Sequence, residues 1–526
     1  MSQQHYQVVV IGAGINGAGI ARDLAARGVG CALVDKADLC NGTSAWSTRL
    51  IHGGLRYLEY AEIDLVRESL REREILLRRA PHLVKPLPLM IPIYKGARRG
   101  PLLIFAGMLA YDLLSFDKSL PWHRMLGSKV VRERSGGLRP EGLRGAAVYY
   151  DAQVEYAERL VVENALDARQ LGADLYLYHE VVELGPQGVQ LRDESGRVKH
   201  LTCDLVINVT GPWVDELLQR CPGEFPRQMG GTKGSHIVVD RFPGLPPEAL
   251  YVEASADGRP YFIVPWNERL LIGTTDLRSE ESLDTMRASR EECQYLLDET
   301  NRLYPSANLC LENIHFTYSG VRPLPHTPKG KTAAITRRHQ VVEHKEAGFK
   351  LLSIVGGKLT TYRSLAQEAV DKALRLLGLG KRKCNTRHRP LPGIALLHEE
   401  RFTSIFADRH GVSLQTARHL AKTYGAQAED IALLAHSQSE LAEVVCPHSG
   451  ALAAEVVWSC QHEEVTHLED FLLRRSLIAW QPGLGCDALD RVLPWIARAK
   501  DWDARRLAEE KERYLARIER FRVPST

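Results

Sequence analysis

Gln7-Val8-Val9-Val10-Ile11-Gly12-Ala13-Gly14-Ile15-Asn16-Gly17 is the stretch on which the fold of this chain turns. Gln7 to Ile11 reads as a short buried strand, and three glycines follow at the spacing G-x-G-x-x-G. Ala18 to Arg27 then has helical periodicity, Gly28 reads as a helix stop, and Cys31 to Val34 reads as a second strand ending at Asp35. Strand, glycine turn, helix and strand form the opening unit of a parallel α/β sheet. Gly12 permits the tight turn, Gly14 lets backbone amides approach a pyrophosphate, and Gly17 lets the helix pack close to the sheet. The helix N-terminus offers unpaired N–H groups and partial positive charge to an anion. Asp35 stands where a carboxylate accepts the hydroxyl protons of a ribose. In register, these features predict a dinucleotide site. By themselves they do not choose between NAD and FAD.

Beyond this unit, Asp151 to Leu171 reads as an amphipathic helix, Asp174 to Tyr178 as a strand, and Asp204 to Thr210 as a buried strand ending in Gly211. Phe349 to Val355 reads as another strand, running into Gly356-Gly357-Lys358 and a helix near Thr361 to Leu377. Between them, Gly234 to Val239, Pro260 to Pro265 and Leu270 to Thr275 have strand character. Pro390 to Gly393 looks like a linker. Helical spacing dominates after it, up to a charged amphipathic helix at Ala504 to Arg522. The predicted class is α/β plus α. A discontinuous Rossmann-like nucleotide domain (1–75, 150–215 and 340–385) carries an inserted mixed α+β substrate domain (76–149 and 216–339), with a C-terminal helical domain over 390–526.

A chain of 526 residues implies two or three domains, and 44% apolar with 25% charged residues describes a globular protein. A formal charge of +3 argues against nucleic acid as the main partner. Ten scattered cysteines show no C-x-x-C spacing, and no set of residues has metal-ligand spacing. Met1 to Tyr6 is polar, Val8 to Ile11 is too short for a signal core, and no stretch approaches the roughly 18 to 20 apolar residues of a spanning helix. The expected location is the cytoplasmic side. The most apolar run, Pro101 to Leu114 (PLLIFAGMLAYDLL), has Lys95, Arg98 and Arg99 before it and Lys118, Trp122 and Arg124 after it. Such a run suits a membrane surface. A buried helix or a dimer contact is the rival reading.

Six blocks narrow the function. Ile11–Asp23 (IGAGINGAGIARD) closely resembles the first signature of FAD-dependent glycerol-3-phosphate dehydrogenases, and Gly356–Ala366 (GGKLTTYRSLA) resembles their second. Between them, Ser47–Leu58 (STRLIHGGLRYL), Asn208–Trp213 (NVTGPW), Lys233–Val238 (KGSHIV) and Tyr318–Pro323 (YSGVRP) look like that family's blocks in the same order. The match runs from residue 7 to about 366, and the chain looks like the aerobic, quinone-linked bacterial type. Ala13 stands where the family commonly has a third consecutive glycine, a mild departure.

The resemblance implies non-covalent FAD with its pyrophosphate at Gly12, Gly14 and Gly17 and its adenosine ribose at Asp35. It further places Ser44, Ser47, Thr48 and Leu50 along the ribityl chain and flavin. Thr210 and Gly211 close over the dinucleotide, and Gly357, Lys358, Leu359 and Thr360 cover the pyrimidine side of the ring. A Gly-Gly turn opening a helix suits negative charge on a reduced flavin. The substrate, glycerol 3-phosphate, must present a phosphate and a secondary alcohol. Arg56 and Arg337 are the implied phosphate ligands, because a guanidinium bonds two oxygens at once, and Tyr57 supplies a hydroxyl. His236 and Arg322 match positions near the reacting carbon, and Lys358 is implied as a contact to a substrate oxygen. His236 would take the hydroxyl proton, its imidazole kept neutral by Arg322, and Arg322 would stabilise the alkoxide.

Each assignment has a plainer rival. Nineteen histidines occur, and His236 could merely position substrate. Arg71, Arg73, Arg78 and Arg79 are read as the solvated face of a helix with Glu68, Glu72 and Glu74. The reading is a respiratory dehydrogenase yielding dihydroxyacetone phosphate, passing electrons to ubiquinone or another membrane quinone. It would be a homodimer bound peripherally to the inner face of the cell membrane. The alternatives are an oxidase of the same fold that makes hydrogen peroxide, and a non-catalytic flavin-binding sensor.

Overall fold

Strand Gln4–Ile11 lies inside an eight-stranded sheet of this computed structural model, which describes residues 4–279, 281–327, 337–394 and 399–524. Val8 and Val10 face one apolar core and Val9 the other, all with no exposed surface. Burial on both faces explains the unbroken apolar run, and each valine contributes about 1.5–3 kcal/mol. Val8 to Ile11 pair in parallel with Leu205 to Asn208 on one side and Cys31 to Val34 on the other. Val206 to Asn208 pair with Leu351 to Ser353, and Ala32 to Val34 with Asp174 to Tyr176. Segments far apart in sequence therefore meet in one parallel sheet. Helix Ile15–Ala26 packs on helices Ala157–Gln170 and Tyr362–Leu377. A Cβ at Gly19 would lie 2.8 Å from the Tyr362 ring, so that contact requires glycine.

A second, ten-stranded mixed sheet runs from Leu277–Arg278 through Thr232–Val239, Arg269–Gly273, Pro260–Trp266, Ala249–Glu253, Val84–Tyr94 and Leu143–Val154 to Leu50–Ile51. Strand Ile314–Arg322 pairs with Thr232–Val239 off this path, as Arg124–Gly127 does with Leu143–Val154. The structure departs from the sequence pattern at Asp151 and at Arg73. The helix read from Asp151 starts only at Ala157, because Leu143–Val154 is a strand paired along its length with Val84–Tyr94. Asp151 accepts from Arg73 and Tyr111 instead of opening a helix. Arg73 is not on a solvated face: it is fully buried on Asp151, while Glu72 is buried against Arg363. Helix Ile63–Arg79 packs on more than one side, and charge spacing alone does not reveal that.

Residues 399–524 are mainly helical, with one small hairpin of Val444–Cys446 and Ala451–Leu452. The charged helix read to Arg522 spans Ala504–Ile518, followed by a short 3-10 turn at Glu519–Phe521. Buried ion pairs fasten this region to the nucleotide sheet. Asp38 receives bonds from Arg474 and Arg475, and Arg159 meets Glu463 at 2.7 Å.

Candidate active site

The C-terminal ends of the parallel strands gather the glycine-rich segments: Ile11 into Gly12, Val34 into Asp35, Asn208 into Thr210, and Val355 into Gly356. Open α/β sheets bind ligands outside this edge. A cavity of about 340 Å³ opens there, lined by Gly12, Gly14, Asp35, Ser44, Thr210 and Gly357, among others. The helix N-cap, Gly14, makes no side-chain cap; Ser44 Oγ takes the Ile15 amide at 3.0 Å, and the next amides of the first turn are left for an anion. A Cβ at Gly14 would stand 3.2 Å from Ser44 Oγ, and one at Gly12 would meet the Val209 carbonyl at 2.5 Å. Both positions thus exclude a side chain, and the bare backbone they leave on the cavity wall fits a diphosphate. Asp35 accepts from the Ala13 and Ala37 amides at 2.6 and 2.9 Å, and burial pushes its carboxyl up to about 6 against those two donors.

A second cavity of about 320 Å³ shares Ser47, Gly357, Lys358 and Leu359 with the first. Arg56, Tyr57, Arg322, Arg337, Lys358 and His236 all line it. Gly54, at φ +77°, brings the Leu55–Tyr60 turn round; a Cβ there would strike the Tyr57 ring at 2.1 Å. Arg322 is braced by Asp276 at 3.0 Å and by Thr274 Oγ1 at 3.0 Å. Burial and neighbouring Arg337 push its guanidinium down, with Asp276 opposing. Lys358 donates to Ser69 Oγ and lies 4.8 Å from the centre of the Tyr57 ring. Burial lowers it to about 8 although Glu68 and Glu62 pull the other way.

His236 sits mid-strand opposite Gly273 and Tyr318, 2% exposed. Its Nε2 is 2.9 Å from Thr48 Oγ1 and its ring lies over Tyr318 at 4.8 Å. Burial, then Arg322 and Arg49, hold it well below 6.5, so the imidazole is neutral at physiological pH. Nδ1 is buried with no hydrogen-bond partner among the described residues.

A family model for FAD dependent oxidoreductases matches residues 7–363, and one for the C-terminal domain of alpha-glycerophosphate oxidase matches residues 384–507. A glycerol-3-phosphate dehydrogenase of Synechocystis is 45% identical over 99% of this chain and 97% of its own length. The chain belongs to the FAD-dependent glycerol-3-phosphate dehydrogenases. An aerobic glycerol-3-phosphate dehydrogenase of Staphylococcus saprophyticus is 33% identical over 90% of this chain and 87% of its own. The crystal structure of the Bacillus halodurans glycerol-3-phosphate dehydrogenase complexed with FAD superposes with a TM-score of 0.78 at 27% identity, covering 99% of this chain and 95% of that one.

The dehydrogenase distributes the residues singled out in its sequence over two cavities. Gly12, Gly14, Asp35, Ser44, Thr210 and Gly211 line the first; Ser47, Gly357, Lys358 and Leu359 line both; Thr48, Leu50 and Thr360 line the second alone. Gly17 lines neither: a Cβ there would lie 1.8 Å from the Gly12 carbonyl oxygen, so its place is in packing the turn. His52 and Arg259 also line the second cavity and were not singled out. His52 lies inside the Ser47–Leu58 block, so that block carried its signal; burial lowers it to about 4. Arg517 and Arg520, from the far end of the chain, line the first cavity. No glycine pattern or block flagged them.

Proposed function

We propose that this enzyme oxidises sn-glycerol 3-phosphate at C2 to dihydroxyacetone phosphate and that a membrane quinone is its final electron acceptor. When bound, FAD supplies the two-electron carrier, with N5 as the hydride acceptor. One observation carries the reading: Arg56, Arg322, Arg337 and Lys358 face a single chamber with a neutral, buried His236, and that chamber adjoins the cofactor cavity. Arg56, Arg337 and Tyr57 grip the phosphate, because clustered guanidiniums in a small chamber suit a dianion. His236 removes the C2 hydroxyl proton and needs no prior deprotonation at neutral pH. Arg322 stabilises the negative charge that develops on that oxygen, and Lys358 donates to a second substrate oxygen.

Two features support the quinone and the membrane surface. Helix Pro101–Leu114 exposes Leu102, Leu103 and Leu113 at 80%, 61% and 57%, and Phe116 and Trp122 follow, both exposed. Among the described residues no helix is long and apolar enough to cross a membrane. A third cavity, about 900 Å³, runs from Arg56 and Tyr251 in the substrate chamber to Leu103, Ile104 and Met108 of that helix. Of the flanking cations, Arg98 and Arg124 are exposed, whereas Lys118 is buried on Asp112 and Arg99 is paired with Glu59. Anaerobic mixing with glycerol 3-phosphate should bleach the flavin absorbance within the turnover time. A soluble quinone should then restore it faster than oxygen does. Unbleached flavin overturns the substrate, and peroxide formed faster than quinone is reduced overturns the acceptor.

A further inference from the structure

The end of the chain lies over the nucleotide cavity. Helix Ala504–Ile518 and the turn Glu519–Phe521 are pinned by Phe521, 1% exposed, whose ring lies 5.4 Å from both Trp46 and Trp480. This places two guanidiniums on the cavity wall that Gly12 and Gly14 also line. Arg517 donates to Asn41 Oδ1 at 2.5 Å. Asn41 precedes Gly42, Thr43 and Ser44, and Ser44 Oγ accepts the Ile15 amide at 3.0 Å at the helix N-terminus. Arg520 lies 5.4 Å over the Trp46 ring and donates to the Met286 carbonyl at 2.7 Å.

The acids nearby are already engaged. Asp38 is bonded to Arg474 and Arg475, Asp470 to Arg474, and Asp284 to Lys36 at 2.9 Å. Glu469 is 3.1 Å from Arg474 and 4.0 Å from Arg517 Nε. Burial pushes Arg517 down and Arg520 down to about 10, the reverse of Arg474 and Arg475, which their carboxylates hold up. Arg517 thus keeps one long ion pair and Arg520 its bond to the Met286 carbonyl, and both line the cavity that Gly12 and Gly14 line. A buried charge needs a counter-charge.

We infer that Arg517 and Arg520 bind the diphosphate of FAD, so that the C-terminal domain completes the cofactor site across from the glycine turn. Charge-assisted bonds from guanidinium to phosphate are among the stronger protein hydrogen bonds. The two ends of the chain would then clamp one dianion, and loading of FAD would fasten the C-terminal helix in place.

The test titrates deflavinated full-length protein with FAD, read by flavin fluorescence, and with ADP and adenosine as competitors. Arg517→Ala and Arg520→Ala should each raise the FAD and ADP dissociation constants about tenfold or more and leave adenosine within about twofold. Arg505→Ala, on the same helix and 87% exposed, serves as the control and should change none of them. Arg517→Lys, which keeps the charge, should recover part of the loss. Unchanged FAD affinity in the folded alanine variants overturns the inference, and so does equal weakening of ADP and adenosine, which would mark a general loosening. If Arg517→Ala fails to fold, Arg520→Gln decides by the same two comparisons.

Discussion

His236 Nε2 and Thr48 Oγ1 stand 2.9 Å apart, tying strand Thr232–Val239 of the second sheet to the segment that leads away from the cofactor cavity. The bond fixes the imidazole while burial keeps it uncharged. His236→Gln should therefore lower kcat by about 10²–10⁴ with flavin still bound. Thr48→Ala should cost less, since it removes orientation and not the base. His52→Gln is the informative comparison, because His52 is neutral too and lines the same chamber. Steady-state rates of the three variants decide the assignment: a greater loss at His52 than at His236 would reverse it.

The pH profile should carry the signature of Lys358. Burial lowers its amine to about 8, so the charged form that would donate to substrate is present below that pH and lost above it. kcat/KM should fall on the alkaline side near pH 8. In Lys358→Arg, if folded, that limb should move up beyond pH 9 or disappear, because a guanidinium stays charged. His236, held well below 6.5, sets no acid limb near neutrality. A profile of kcat/KM from pH 5 to 10 for both proteins checks the assignment.

FAD binding should have its own, separate pH dependence. The Asp35 carboxyl is raised to about 6 in the protein without cofactor, and its ionised form is the one that would accept ribose hydroxyls. Binding selects the carboxylate, so FAD affinity should weaken as pH falls through about 6 and level off above it. Asp35→Asn should bind FAD more weakly and flatten this dependence. Titrations of the deflavinated protein between pH 5 and 8 would show whether the slope belongs to Asp35.

The nucleotide half was legible because its chemistry is local. The glycines at Gly12 and Gly14 and the strand at Gln7–Ile11 each act through their own backbone, so a linear motif records them. That the residues of the second cavity belong together was legible only through the family blocks. No spacing relates Arg56, His236 and Arg322, which the sheet brings together from three segments. What escaped was set by partners distant in sequence. Arg73 reads as a surface cation until Asp151 arrives on a neighbouring strand. Arg517 reads as one more charge on an amphipathic helix until the chain end folds over Trp46.

The Arg73–Asp151 pair should weigh heavily in the stability of the second sheet and the helix packed on it. Both side chains are buried, at 0% and 1% exposure, and Tyr111 OH adds a 2.8 Å bond to Asp151 while receiving the Gly53 amide at 2.9 Å. Arg73→Ala strands a buried carboxylate and should destabilise the protein by about 3–5 kcal/mol. Arg73→Met with Asp151→Leu should recover most of that, since the unpaired charge is gone. Urea unfolding followed by tryptophan fluorescence measures the difference between single and double variants.

The apolar helix supplies the last prediction. Its inner face holds Met108 at 1% and Tyr111 at 1% exposure, so the helix is anchored by residues that need not be touched. Its outer face carries Leu102 and Leu113, and each leucine withdrawn from water into lipid contributes about 1.5–3 kcal/mol. Leu102→Glu with Leu113→Glu should therefore reduce binding to anionic vesicles by more than tenfold and leave turnover with a soluble acceptor within about twofold. Phe105 is a poorer choice, because its ring lies 5.7 Å from His123 and is half shielded already. Co-sedimentation with vesicles, run beside size measurement in solution, separates the two uses of this face. Vesicle binding that survives the double substitution, with a change in oligomer size, would assign the helix to a contact between copies of the chain and leave the membrane to another surface.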